Sequence, residues 1–195
     1  MSTNLVEQLD KIIIENELSG NLAFVHKFSD PDGVRSGKSG WSFGRVQWDV
    51  QNNPAAARCL AECGFTAAEI AGIKGQSIDV HQFEPRLKAH ADIVKKWDDL
   101  QLESCLRRAQ NILAKHGVTP ADDTALLAVA DYDNQYHLSD INKPGYLVHY
   151  LAGSGLFTAK DVLQFKLDHT KYGEDHPDDC RRRYNNLIKI MKETV

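Results

Sequence analysis

Hydrophobic positions along this chain follow two regimes. Over residues 4–18, Leu5, Leu9, Ile12 and Ile13 recur at helical spacing, with Asn4, Gln8, Lys11 and Glu15 opposite them. That pattern predicts an amphipathic helix, ended by Ser19-Gly20-Asn21. Over residues 22–50 the pattern breaks up. Phe24, Val25, Phe28, Trp41, Phe43, Val46 and Trp48 stand among Gly, Ser, Asp and Pro, which predicts short strands and loops in a small antiparallel sheet. From residue 54 the spacing is helical again. Pro54 opens a helix that Gly64 ends, and Thr66-Ala67-Ala68-Glu69 reads as a capping box. A helix is predicted over 79–97, bent at Pro85, and another over 98–115, ended by Gly117. Residues 120–137 are rich in Ala and Leu and read as a buried helix. Further helices are predicted from Pro144 to Leu151, from Thr158 to Leu167 and from about Asp178 to Glu193. The expectation is an α+β, mainly α fold: one domain over residues 1–195, with a small N-terminal antiparallel β-lobe at about 21–50 and a helical remainder.

Composition narrows the function classes. The chain has 195 residues, 42% hydrophobic and 26% charged, enough to bury a full core without cross-links. Its net charge of -4 carries no basic excess, so no nucleic-acid partner is expected. The triplet Arg181-Arg182-Arg183 reads as a solvated helix face. No run approaches the roughly 18–20 apolar residues of a membrane span. The first residues lack a charged segment followed by an apolar one, so the expectation is synthesis in the cytoplasm without a signal peptide. Cys59, Cys63, Cys105 and Cys180 form no CxxC pair and no zinc set, and the eight histidines show no His-Glu-x-x-His spacing. Neither a metal nor another cofactor is expected, and the thiols read as free or structural.

Two motifs compete within residues 33–49. Gly37-Lys38-Ser39 resembles the end of a phosphate-binding loop. Such a loop needs four residues between its glycines, and Val34-Arg35-Ser36 supplies three between Gly33 and Gly37. The aromatic-rich segment that follows is no helix start, and the chain lacks repeated strand–helix alternation. The other motif is Phe43-Gly44-Arg45-Val46-Gln47-Trp48-Asp49. Read as one strand, it sends Phe43, Arg45, Gln47 and Asp49 to one face and Gly44, Val46 and Trp48 to the other. The first face would line a polar groove. Gly44 would let a ligand or a neighbouring backbone approach.

This stretch resembles the sheet region of the lysozyme superfamily, especially goose-type lysozymes and related phage and bacterial transglycosylases. There Phe-Gly, two residues, Gln, one residue, Asp forms a β-segment beside the cleft, and Phe43, Gly44, Gln47 and Asp49 match it. The order of elements is also similar: a helix ending in Glu, a Gly-rich sheet, then helices, an order that chitosanase-like members share. The motif match covers roughly residues 15–50.

The resemblance implies a lysozyme-like helical domain and a catalytic Glu at the end of the first helix, either Glu15 or Glu17. Helical geometry separates them. Glu17 lies four after Ile13 and eight after Leu9, on the edge of the apolar stripe, whereas Glu15 lies four after Lys11 on the polar face. A general acid must stay protonated, and partial burial against apolar groups favours that. Glu17 is therefore the expected acid. For a second carboxylate, Asp32 leads Asp30 on its flexible Gly neighbour and its distance from Glu17, which resemble the chitosanase-like pattern. Asp49 matches an acidic position of the family. Asp30-Pro31-Asp32-Gly33 is equally a good turn sequence, and some relatives need no second carboxylate. Ser39, Ser42, Phe43, Gln47 and Asp49 are candidates to hold a water or sugar. Tyr132, Asn134, Gln135 and Tyr136 suit sugar hydroxyls and stacking on a far wall.

The implied activity is a peptidoglycan-degrading glycoside hydrolase, a muramidase that cleaves β-1,4 bonds by carboxylate general acid catalysis. A lytic transglycosylase, a chitosanase or a non-catalytic glycan-binding module remain as alternatives. The implied partners are peptidoglycan glycan strands, with an immunity protein or a secretion or holin system. The implied place of action is the cell wall, reached after phage release or by injection through a secretion machine.

Overall fold

The computed structural model describes residues 3–31, 33 and 37–193. It is mainly helical, with ten α-helices and a two-stranded antiparallel sheet among the described residues. The α+β, mainly α class read from the sequence is the class observed. The chain forms two compact units. One is Glu17–Gln101, and the other combines residues up to Asn16 with those from Leu102 onward. Among the described residues no helix is long and apolar enough to cross a membrane.

The first helix, α1 (Thr3–Leu18), supplies residues to both units. Leu5, Leu9, Ile12 and Ile13 are buried as the spacing predicts, but so are Gln8 and Asn16. Positions 5, 8, 9, 12, 13 and 16 trace one stripe of the 3.6-residue repeat, so the buried face is wider than its apolar residues alone indicated.

In the Glu17–Gln101 unit, the stretch expected to be one strand is a hairpin. Strand β1 (Ser42–Phe43) pairs antiparallel with β2 (Trp48–Asp49), with Ser42 opposite Asp49 and Phe43 opposite Trp48. Ser29 extends the sheet by an isolated antiparallel bridge to Ser42. The turn between the strands requires left-handed backbone at both Gly44 (φ 78°) and Gln47 (φ 54°). Alternation of large and polar residues concealed that turn, because no Asn-Gly or Asp-Gly pair announces it. Arg45 does not face a groove. Its backbone N–H and its Nε donate to Asp98 Oδ2 at 3.0 and 3.3 Å, and its guanidinium reaches Asp99 Oδ1 at 2.6 Å. Trp48 Nε1 donates to Asp98 Oδ1 at 2.8 Å. A Cβ at Gly44 would meet this same Oδ1 at 2.7 Å, so the close approach expected there is made by a buried carboxylate.

Local signals place most helix starts. Helix α2 (Pro54–Glu62) has Pro54 in its first turn and Asn53 as its N-cap, accepting from the Ala55 N–H at 2.9 Å. Helix α3 (Ala67–Lys74) carries the predicted capping box. Thr66 Oγ1 accepts from the Glu69 N–H, and the Glu69 carboxylate accepts from the Thr66 N–H. The next region departs from expectation. Helix α4 (Glu84–Ala89) begins at Glu84 with Pro85 in its first turn, so Pro85 starts a helix and bends none. After His90, α5 (Ala91–Lys115) runs unbroken through residues 97 and 98, where a boundary was expected. Asp98 is no helix cap here; it is turned inward and bound by the hairpin.

In the other unit, β3 (Thr119–Pro120) pairs in parallel with a later strand, β4 (Leu156–Phe157), a contact the sequence pattern does not announce. Helix α6 (Asp123–Tyr136) is capped by Asp122, which accepts from the Ala125 N–H at 2.8 Å. Residues 125–131 of α6 are all buried, as their Ala/Leu content predicts. Beyond α7 (Leu147–Ala152), α6 packs on α8 (Ala159–His169) and α10 (Pro177–Glu193), with short α9 (Lys171–Asp175) between these two in the chain. The Arg181–Arg183 triplet is not merely a solvated face. Arg183 is 3% exposed and donates to Asp131 Oδ1 at 2.6 Å, while Arg182 donates to Asp179 and to the Asn16 carbonyl.

Candidate functional site

The end of α1 brings Glu17 to a pocket that lies wholly within the Glu17–Gln101 unit. Left-handed backbone at Ser19 (φ 50°) and Gly20 (φ 74°) stops the helix. Asn21 then caps a 3-10 turn over Leu22–Phe24 by accepting from the Ala23 N–H at 3.0 Å. The result is an open pocket of about 640 Å³, within the range of small-ligand sites. Glu17, Phe24, Ser29, Gln47, His81 and Glu84 are among the residues that line it.

Gln47 is held firmly despite its unfavourable φ. Its Nε2 donates to the Gly44 carbonyl at 3.0 Å, and its Oε1 accepts from Ser29 Oγ at 2.6 Å. Left-handed backbone on a non-glycine residue costs energy and persists where the surroundings over-determine it, commonly at functional sites. The Arg45–Asp98 anchor and the Ser29–Ser42 bridge fix this turn on either side. Phe24 is 47% exposed, and Lys27 Nζ sits 5.4 Å from its ring centre. The pocket therefore offers an open aromatic face, a cation, amide and hydroxyl groups, and two carboxylates.

The second carboxylate on the pocket wall is Glu84, which no sequence motif marks. Its Oε1 accepts from the Phe28 backbone N–H at 3.2 Å and lies 2.8 Å from His81 Nδ1. Its Oε2 has no hydrogen-bond partner among the described residues. Glu84 stands far from Glu17 in the chain, within a segment that reads as ordinary helix. Only the His-x-x-Glu spacing, which joins the two side chains across the 3-10 turn His81–Phe83, could have drawn attention to it.

The other sequence candidates divide cleanly. Glu17 and Gln47 come together in the pocket. Asp32 lies outside the described residues. Asp30 is a turn and tether residue: Oδ1 accepts from the Gly33 N–H at 3.2 Å and Oδ2 from Gln76 Nε2 at 3.1 Å. Asp49 is a local loop anchor, its Oδ1 accepting from the N–H groups of Gly40, Gln51 and Asn52 and its Oδ2 from Asn52 Nδ2. Ser42 is buried in the sheet. Phe43 is 0% exposed and packs edge-on against Phe28, so its part is in the core under the pocket and not on its surface.

Tyr132, Asn134, Gln135 and Tyr136 belong to the other unit, on the last turns of α6, and none lines the pocket at Glu17. Tyr132 packs against Tyr136 and Phe165, and Gln135 accepts from the buried Lys166 Nζ at 2.5 Å. Nearby, Asp131 accepts from Asn16 Nδ2 at 3.1 Å as well as from Arg183. Burial alone would push the Asp131 carboxyl up, but Arg183 and Lys166 outweigh it and hold it below the usual range.

All four cysteines are buried and free, and burial pushes the Cys105 and Cys180 thiols up. Among the described residues no group of three or more His, Cys, Asp or Glu side chains is placed to hold a metal ion. Comparison with family models, with curated proteins and with solved structures found no match to this chain.

Proposed function

We propose that this protein is a lysozyme-like glycoside hydrolase that cleaves β-1,4 bonds in peptidoglycan glycan strands, with Glu17 as general acid. One observation carries the reading. Glu17, at the end of the first helix, and Gln47, in the Phe-Gly-x-x-Gln-x-Asp segment, line the same open pocket although the chain between them wanders through loops and a hairpin. Both positions are among those the superfamily resemblance singles out. The rest of the lining is compatible with a sugar: the open ring of Phe24 offers a stacking face, and Ser29 and Gln47 offer hydrogen bonds to hydroxyl or N-acetyl groups. In this reading Glu17 gives its proton to the leaving glycosidic oxygen as the sugar gains oxocarbenium character. The work would be done at the cell wall, reached after release by a phage or through a secretion machine.

Digestion of purified peptidoglycan followed by mass spectrometry tests this. Reducing-end muropeptides are expected from the wild type, and a loss of at least about 100-fold in rate is expected for Glu17→Gln. Anhydro ends would instead make the protein a transglycosylase. Retained glycan binding with no product from the wild type would make it a binding module.

A further inference from the structure

We propose that Glu84 is the second catalytic carboxylate of this pocket, acting as general base on the attacking water, with His81 as its positioning residue. The inference rests on the glycosidase reading above and deepens it. Hydrolysis with a single displacement needs an acid on one side of the scissile bond and a base on the other. Of the second-carboxylate candidates that are described, Asp30 and Asp49 have both oxygens committed to loop geometry, and neither lines the pocket. Glu84 does line it, together with Glu17. One of its oxygens is pinned by two groups, the Phe28 N–H and His81 Nδ1. The other has no protein partner among the described residues and is available to a water. A carboxylate fixed through one oxygen and open at the other is preorganised for proton abstraction.

The step balances as follows. Water oxygen attacks the anomeric carbon while the bond to the leaving oxygen breaks. Glu17 transfers its proton to that oxygen, and Glu84 accepts one proton from the water. The remaining O–H stays as the new anomeric hydroxyl, on the face opposite the bond that broke. His81 touches no reacting atom; it holds the Glu84 carboxyl in one orientation.

The test follows the anomeric form of the first products by proton NMR, using soluble peptidoglycan glycan strands, with steady-state kinetics of variants alongside. Inversion is expected, giving fresh α-configured reducing ends. Glu84→Gln keeps an acceptor for Phe28 and His81, and kcat is expected to fall about 100- to 1000-fold with little change in KM. Azide should partly restore turnover to Glu84→Ala and yield a glycosyl azide, because azide needs no base. His81→Phe should lower kcat about 10-fold, and His81→Asn, which can still donate to Glu84, should recover most of it. Wild-type kcat in Glu84→Gln beside an inactive Glu17→Gln overturns the role of Glu84 and leaves the glycosidase reading standing. β-configured or anhydro first products overturn it as well, independently of whether any variant folds. Absence of cleavage by the wild type overturns both proposals.

Discussion

Each unit holds a buried, ion-paired aspartate, and the surroundings push the two carboxyl groups to opposite sides of the usual range. Asp98 ties the hairpin to α5 through three donors from Arg45 and Trp48, yet burial pushes its carboxyl up to about 6 against the pull of Arg45. Asp131 is buried too, but its carboxyl is held low, because Arg183 and Lys166 both act on it. The difference lies in how much positive charge each carboxylate keeps to itself. Arg45 divides its guanidinium between Asp98 and Asp99, whereas Arg183 and Lys166 converge on Asp131. A hydrogen-bond count does not decide the charge state of a buried acid; the local balance of charge against burial does.

The comparison can be broken from either side. The largest expected effect is in the Asp131 network. Arg183→Leu leaves a buried carboxylate beside a single cation and should cost about 3–5 kcal/mol in urea unfolding. A cost below about 1 kcal/mol would show that Lys166 alone suffices. Gly173→Ala, in the same unit, should cost about 3 kcal/mol or more by overpacking, since the added Cβ would sit 1.8 Å from the Lys166 carbonyl oxygen, which as backbone cannot rotate away.

Gly44→Ala is the counterpart in the hairpin. It combines a positive φ with a clash against the Asp98 carboxylate, a side chain with some freedom, and about 1–3 kcal/mol is expected. It should also weaken the proposed glycan cleavage, because Gln47 shares the same turn.

A pH series sharpens the contrast. Asp98 binds its proton more tightly in the folded state than in the unfolded one. Its contribution is therefore full below about pH 3.8 and is lost as pH rises through about 6. Asp131 has the opposite sign: its contribution is present above the unfolded carboxylate range and is lost as pH falls through its lowered folded value. Chemical denaturation between pH 4 and 7 should show a falling component in the wild type that Asp98→Asn removes. An unchanged slope would mean that Asp98 is ionised throughout. The smallest effect is expected at Thr66→Ala, about 1 kcal/mol, since its capping box lies at the surface.

How far the molecule could be read in advance depended on the range of the interactions. Pro54 after Asn53, Thr66 before Glu69 and Thr158 before Asp161 mark helix starts because the bonds involved span a few residues. The place of Glu17 at the end of α1, beside the apolar stripe, is legible for the same reason, since it is a property of α1 alone. The full width of the stripe, with Gln8 and Asn16, is not legible, because polarity hides burial when the partner, Asp131 for Asn16, lies far along the chain. Arg45, expected on a groove face, shows the same limit, because its partner Asp98 lies far along the chain.

The sequence by itself determined the fold class, the first helix with its terminal Glu17, and the Phe43–Asp49 segment as the place to look for a pocket. These depend on spacing and on local hydrogen bonds. Tertiary structure alone decided that the segment turns back on itself, that Asp30 and Asp49 serve the loops, and that Glu84 stands with Glu17 in one pocket. Each of those outcomes follows from a buried or long-range contact, whose free energy depends on groups that only the folded chain brings together.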